Sequence, residues 1–176
     1  CPLEPPRLVA PESAMARARE LLPESGARWA ALLPGAARGS SKRWPAASFI
    51  EVGRSLRDEL ACRVAVLGSG EEADLCGYVA ASIGSGAVSL AGRTSLPELA
   101  AVMSRCAMIV ANDSGGMHLA SAVDAPVVAL FGGTDPVRTG PLHARAVALQ
   151  AVGGQGRRDI ARRSRAAGRA LRSLTP

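Results

Sequence analysis

A chain of 176 residues, 48% of them hydrophobic, can bury one sizeable core and is short for two. Its net charge of +6 would suit nucleic acid if spread over the surface, but residues 154–176 carry seven arginines against one aspartate and account for the whole excess. With the remainder neutral and aromatic residues at 3%, few stacking platforms are left for single strands, and no apolar run approaches the roughly 20 residues of a membrane-spanning helix.

Residues 1–11 are proline-rich and read as a linker; they begin with Cys1 and carry no signal-like basic start or apolar run, so the chain is expected to be cut from something longer. A helix is predicted over 12–22, ended by Pro23. Residues 29–33 form a short apolar strand candidate, and 34–44 a loop of small and polar residues. The spacing of Phe49, Val52, Leu56 and Leu60 predicts a helix over 45–60, with proline suited to its first turn. A second strand at 63–67, a turn at 68–72 and a helix at 73–83 follow. After a weaker strand at 87–90, Ser95 and Glu98 have the spacing of a capping box for a helix over 96–106. A strand at 108–111, a turn at 112–116, a helix at 117–123 and a strand at 126–130 complete the pattern. Continuous apolar strands separated by amphipathic helices imply an α/β fold, a Rossmann-like parallel sheet covered on both faces. The arginine-rich tail reads foremost as a solvated helical face, the alternatives being an RNA-binding or membrane-surface helix. Cys1, Cys62, Cys76 and Cys106 form no CxxC pair and lie mostly in apolar segments, which favours a reduced, cytoplasmic protein over a disulfide framework or zinc site.

In such a sheet, ligands bind beyond the carboxyl ends of the strands, so the loops that follow strands carry the chemistry. The first, Pro34-Gly35-Ala36-Ala37-Arg38-Gly39-Ser40-Ser41-Lys42-Arg43-Trp44-Pro45, is suited to a phosphate without being a Walker loop: its glycine spacing differs and no Ser or Thr follows Lys42. Lys42 is the only lysine in the chain, and a compact ammonium suits a crowded pocket better than a guanidinium. The alternative is compositional chance. The second, Asn112-Asp113-Ser114-Gly115-Gly116-Met117-His118, offers open amides at a helix terminus; Asp113 or Ser114 is equally a simple cap, and His118 either a site residue or a packed one. The third, Gly68-Ser69-Gly70-Glu71-Glu72, sets two carboxylates at a helix start, for dipole reasons or to accept ribose hydroxyls. The last, Phe131-Gly132-Gly133-Thr134-Asp135-Pro136, reads as a turn. No Ser/His/Asp order, nucleophile elbow or metal-ligand cluster stands out.

The run Gly39-Ser40-Ser41-Lys42-Arg43-Trp44-Pro45, followed by Asn112-Asp113-Ser114-Gly115-Gly116-Met117-His118-Leu119-Ala120 and then by Val127 to Gly132 and Thr134-Asp135-Pro136, resembles the heptosyltransferase family of glycosyltransferases. The resemblance implies two Rossmann-like domains facing a cleft, the GT-B arrangement. This chain would be the C-terminal half, with residues 1–28 a linker and helix from the N-terminal domain, 29–150 the nucleotide-sugar domain and 151–176 an arginine-rich tail or closing helix. It implies ADP-heptose as donor, no cofactor and no metal. Acceptor, a lipid A core, and general base would belong to the N-terminal domain, so transfer would occur in the cytoplasm, at the inner face of the inner membrane, with peripheral association compatible.

By the same resemblance Lys42 would meet the donor diphosphate, with Ser40 and Ser41 lining its loop, and Glu72, with Glu71, would hold the ribose. Asp113 would contact the heptose, amides of Ser114, Gly115 and Gly116 would surround the phosphates, His118 would support the site, and Gly92 and Thr94 would lie near the adenosine. Gly116 stands where relatives usually carry a larger residue, and the stretch after Leu149 lacks an insert that many of them have. The competing readings are a non-catalytic nucleotide-sugar-binding module and a related transferase with another donor or acceptor.

Overall fold

The computed structural model describes residues 7–24, 26–37, 39–151 and 171–176. Six strands alternate with helices along the chain: α1 (Glu12–Leu21), β1 (Trp29–Leu33), α2 (Ala46–Asp58), β2 (Arg63–Val66), α3 (Ala73–Ile83), β3 (Ala87–Ser89), α4 (Leu96–Ser104), β4 (Met108–Asn112), α5 (Gly115–Ala122), β5 (Val127–Phe131), α6 (Pro136–Thr139) and β6 (Ala146–Gln150). The strands form one sheet in the order β3-β2-β1-β4-β5-β6, and every pairing is parallel. The chain steps outward from β1 to β3, then returns to place β4 on the other side of β1. That reversal is the topological switch point, where the loops after β1 and β4 diverge and leave a crevice.

Alternate strand residues serve opposite layers, as the pleat requires. Ala31 and Leu33 of β1, Ala65 of β2, Ile109 and Ala111 of β4, and Val127, Ala129 and Phe131 of β5 join α1, α4 and α5 in one core. Leu32 of β1, Val64 and Val66 of β2, Val110 of β4 and Leu130 of β5 join α2 and α3 in the other, with Phe49, Leu56, Val79 and Ile83. Both faces of the central strands are dry, which is why they read as continuous apolar runs. α1, expected as a helix arriving from elsewhere, packs on this sheet through Ala14, Ala18 and Leu21 and lies against α4.

Local rules account for the element ends. Glu98 Oε2 accepts from the amide (2.7 Å) and hydroxyl (2.8 Å) of Ser95, closing the expected capping box on α4, and these bonds hold the Glu98 carboxyl below its usual range. The 3-10 turn before α3, residues Gly70–Glu72, closes in the same way on Ser69 and Glu72, where a plain turn was expected. α5 begins at Gly115, two residues earlier than the sequence suggested, because glycines weaken helix propensity but are tolerated in a first turn. β6 was not expected at all. It is an edge strand with one neighbour, and its Val147 and Leu149 remain exposed, so it lacks a burial pattern.

Cys62, Cys76 and Cys106 are free and buried; burial pushes the Cys106 thiol up to about 12 and, with help from the Glu72 charge, Cys76 up to about 11. The proposed tail helix lies mostly outside the described residues. Its end is visible: Leu171 is 1% exposed in the core beside α2, and the Trp44 indole donates to the Leu174 carbonyl at 3.0 Å.

Candidate functional site

A cleft of about 760 Å³ opens at the carboxyl ends of β1, β2 and β4, beside the switch point. Its walls come from the loops after these strands, from the turn after β3 and from the start of α4. Of the residues singled out in the sequence, Glu71, Glu72, Gly92, Thr94, Ser114, Gly115 and Gly116 meet here. Leu33, Leu67, Leu96 and Leu99 give the cleft an apolar lining beside these polar groups.

Close approach of backbone explains several of the glycines. A Cβ on Gly35 would lie 1.9 Å from Glu72 Oε1, so the carboxylate occupies the space that a side chain would take. A Cβ on Gly116 would lie 2.2 Å from Leu33 Cδ2, so a leucine methyl occupies the space that a larger residue would take here. Gly92 has φ +69 and stands 3.0 Å, by the same construction, from the Gly70 Cα, so two wall turns touch through glycine.

The helix starts around the cleft differ in how their free amides are met. The turns before α3 and α4 are closed by Glu72 and Glu98. α5 has Ser114 at its cap position with no side-chain hydrogen bond to its amides, and the carboxylate of Asp113 is directed elsewhere. The first-turn amides of a helix lack intrahelical partners, so the Ser114-Gly115-Gly116 turn presents donors to the cleft at the positive end of the helix dipole. Neither simple-cap reading of Asp113 or Ser114 describes this arrangement.

Lys42 and Asp113, the residue that precedes this turn, are not among the residues lining the cleft. Lys42 Nζ donates to Asp113 Oδ2 at 2.5 Å, with the two side chains 10% and 6% exposed, and Thr134 Oγ1 donates to the same oxygen at 2.6 Å. Ser40 and Ser41 belong to the 3-10 turn Ser40–Lys42; Ser41 is buried, and its hydroxyl has no hydrogen-bond partner among the described residues. His118 is exposed on α5 and makes no hydrogen bond among the described residues, so the packed reading does not hold.

Three residues passed over in the sequence shape the site. Asn112, fully buried, donates from Nδ2 to the Pro34 (2.9 Å) and Gly35 (3.2 Å) carbonyls and accepts from the Trp44 amide at 2.9 Å, so one side chain ties both ends of the 34–45 loop to β4. Thr134, in the loop after β5, donates to Asp113 and so joins that loop to β4. Arg43 lines the cleft, whereas its neighbour Lys42 does not. A buried amide at a strand end was a usable signal for Asn112; nothing in the local sequence marked Thr134 as the partner of Asp113. Among the described residues, no three of His, Cys, Asp and Glu gather as a metal-ligand set.

Comparison with known proteins gives a consistent picture. A family model described as glycosyltransferase family 9 (heptosyltransferase) matches residues 2–166. Lipopolysaccharide heptosyltransferase 2 of Salmonella typhimurium is 35% identical over 125 residues, 69% of this chain and 36% of its own length. Among solved structures, that of E. coli ADP-heptose lps heptosyltransferase II superposes with a TM-score of 0.79 at 31% identity, covering 88% of this chain and 48% of that one. A glycosyl transferase family 9 structure from Veillonella parvula gives 0.75 at 27% identity, with 82% and 42% covered. The chain thus spans half or less of the length of the relatives it matches.

Proposed function

Because this chain belongs to glycosyltransferase family 9, the heptosyltransferases, we propose that it is the donor-binding half of an inverting enzyme that transfers heptose from ADP-heptose to the lipopolysaccharide inner core. The observation that carries this reading is the uncapped Ser114-Gly115-Gly116 turn in the wall of the cleft, where the turns before α3 and α4 are closed by Glu72 and Glu98. Donors left open beside a cavity suit a diphosphate. Relatives named for ADP-heptose transfer supply the identity of the nucleotide sugar.

Within that reading, Glu71 and Glu72 receive the ribose hydroxyls; Glu72 Oε2 is already committed to Ser69, which leaves Oε1 to accept. Gly92 and Thr94, with Leu96 and Leu99, bound the adenosine end. Amides of Ser114, Gly115 and Gly116 stabilise the ADP leaving group as its charge develops. Ser40 and Ser41 line the loop that carries Lys42. The contact expected of Lys42 with diphosphate would use the ammonium donors that Asp113 does not take, and that of Asp113 with heptose its other oxygen, Oδ1. His118, being exposed, is available to a ligand or to the opposite side of the cleft. An acceptor hydroxyl, deprotonated by a base on the N-terminal domain, would displace ADP. The acceptor is a lipid A core at the inner face of the inner membrane; no helix among the described residues is long and apolar enough to cross a membrane.

Calorimetric titration with ADP, ADP-heptose, UDP and GDP tests the donor. The adenine nucleotides should bind and the others bind much more weakly; equal affinity for all, or preference for UDP or GDP, would defeat the assignment.

A further inference from the structure

Asp113 is held from two directions at once. Lys42 Nζ donates to its Oδ2 at 2.5 Å, and Thr134 Oγ1 donates to the same oxygen at 2.6 Å, a length typical of a hydroxyl bonded to a charged carboxylate. The two donors come from different parts of the fold, Lys42 from the loop after β1 and Thr134 from the loop after β5, while Asp113 follows the last residue of β4. They differ in what they fix. An ammonium on a flexible stem sets a distance but tolerates rotation of its partner. A threonine hydroxyl sits on a branched carbon with few allowed rotamers, so it also sets a direction. The terminal torsion of an aspartate is soft. With Oδ2 fixed by both donors, the plane of the carboxylate is set, and with it the direction in which Oδ1 faces.

Thr134 is itself seated. It is buried, and its carbonyl accepts at 3.2 Å from Nε2 of Gln150, the last residue of β6. On its other side Asp135 accepts from the Val137 amide at 2.9 Å and caps α6. The hydroxyl is thus brought to Asp113 by a loop braced on both sides. Neither Thr134 nor Gln150 lines the cleft, so their effect on a ligand there has to pass through Asp113.

We propose that Thr134, seated by Gln150, is a positioning residue for recognition of the donor sugar: it turns the Asp113 carboxylate so that Oδ1 meets the heptose hydroxyls. This rests on the cleft being the nucleotide-sugar site with Asp113 at its sugar end. The consequence is selective. Loss of the Thr134 hydroxyl falls on the part of the donor that ADP lacks, and leaves the nucleotide contacts of the cleft wall in place.

Calorimetry of the 176-residue chain with ADP and with ADP-heptose, alongside thermal unfolding, separates this role from simple bracing. In Thr134→Val, which keeps the branch and removes the hydroxyl, the ratio of ADP-heptose affinity to ADP affinity should fall roughly three- to tenfold, the scale of one hydrogen bond. A change passed through Lys42 to the diphosphate is shared by both ligands and cancels in the ratio. Thr134→Ser, which keeps the hydroxyl, should hold the ratio close to wild type, and Gln150→Met should lower it in the same sense by less. A lowered unfolding midpoint with an unchanged ratio in Thr134→Val would reduce Thr134 to a brace between loops and overturn the assignment, as would equal losses for the two ligands. Should Thr134→Val fail to fold, Gln150→Met carries the test, and an unchanged ratio there counts against the proposal in the same way. If wild type binds neither ligand, the nucleotide-sugar reading itself falls and takes this one with it; if it binds both and the ratio does not respond, that reading stands and this one falls.

Discussion

Lys42 and Asp113 form a buried contact that redefines what each substitution reports. With both side chains at least nine-tenths buried, removal of one leaves the other as an uncompensated charge in the interior. Lys42→Ala should therefore cost about 3–5 kcal/mol of stability, the scale for breaking a buried ion pair from one side. Lys42→Met combined with Asp113→Asn should be more stable than Lys42→Met alone, since no charge is stranded. Urea unfolding checks both; an unchanged midpoint for Lys42→Ala would show that the pair is not a buried one in solution. The sequence distinguished Lys42 by its uniqueness, and the pairing supplies a physical reason for it: a compact ammonium fits an enclosed carboxylate already bonded by Thr134. It could not reveal that partner, because Asp113 lies 71 residues away and the contact arises only when β1 and β4 become neighbours.

At the scale of elements, most of the pattern was legible because strands with two buried faces and helices with one apolar face leave different periods. Ser95 and Glu98 marked the start of α4 by spacing alone. What escaped were features whose cause lies in tertiary contact. β6 is edge-exposed, α5 starts on two glycines, and Thr134 belongs to a turn whose hydroxyl points at a distant carboxylate. The C-terminal end is a further case. Its arginines suggest a solvated face, yet Leu171 is buried in the same core cluster as Phe49 and Ile50, and the Leu174 carbonyl accepts from the indole of Trp44, whose own amide is held by Asn112. The end of the chain is thereby tied to the loop that carries Lys42 and Arg43. Leu171→Ala should destabilise the protein by about 2–5 kcal/mol, as truncation of a buried leucine does. A thermal midpoint equal to wild type would place that leucine outside the core.

For the whole molecule, the strand order β3-β2-β1-β4-β5-β6 puts the switch point and the cleft at the same end of the sheet, and the residues that resemble heptosyltransferases converge on that end. The fold class followed from strand-loop-helix alternation, and so did the expectation that a cleft would open beyond the carboxyl ends of the strands. The division of the site into a wall of glycines and carboxylates and a supporting layer of Lys42, Asp113, Thr134 and Asn112 did not, since composition cannot tell which polar side chains will be spent on one another. The central claim is that the donor binds in this cleft with its phosphates at the α5 turn. Backbone amide NMR of the chain titrated with ADP-heptose tests it most directly. Shifts concentrated at Gly92, Thr94, Ser114, Gly115 and Gly116, with the β6 edge silent, are the result expected. Saturable binding whose shifts cluster away from the α5 turn, for instance along residues 146–150, would contradict it.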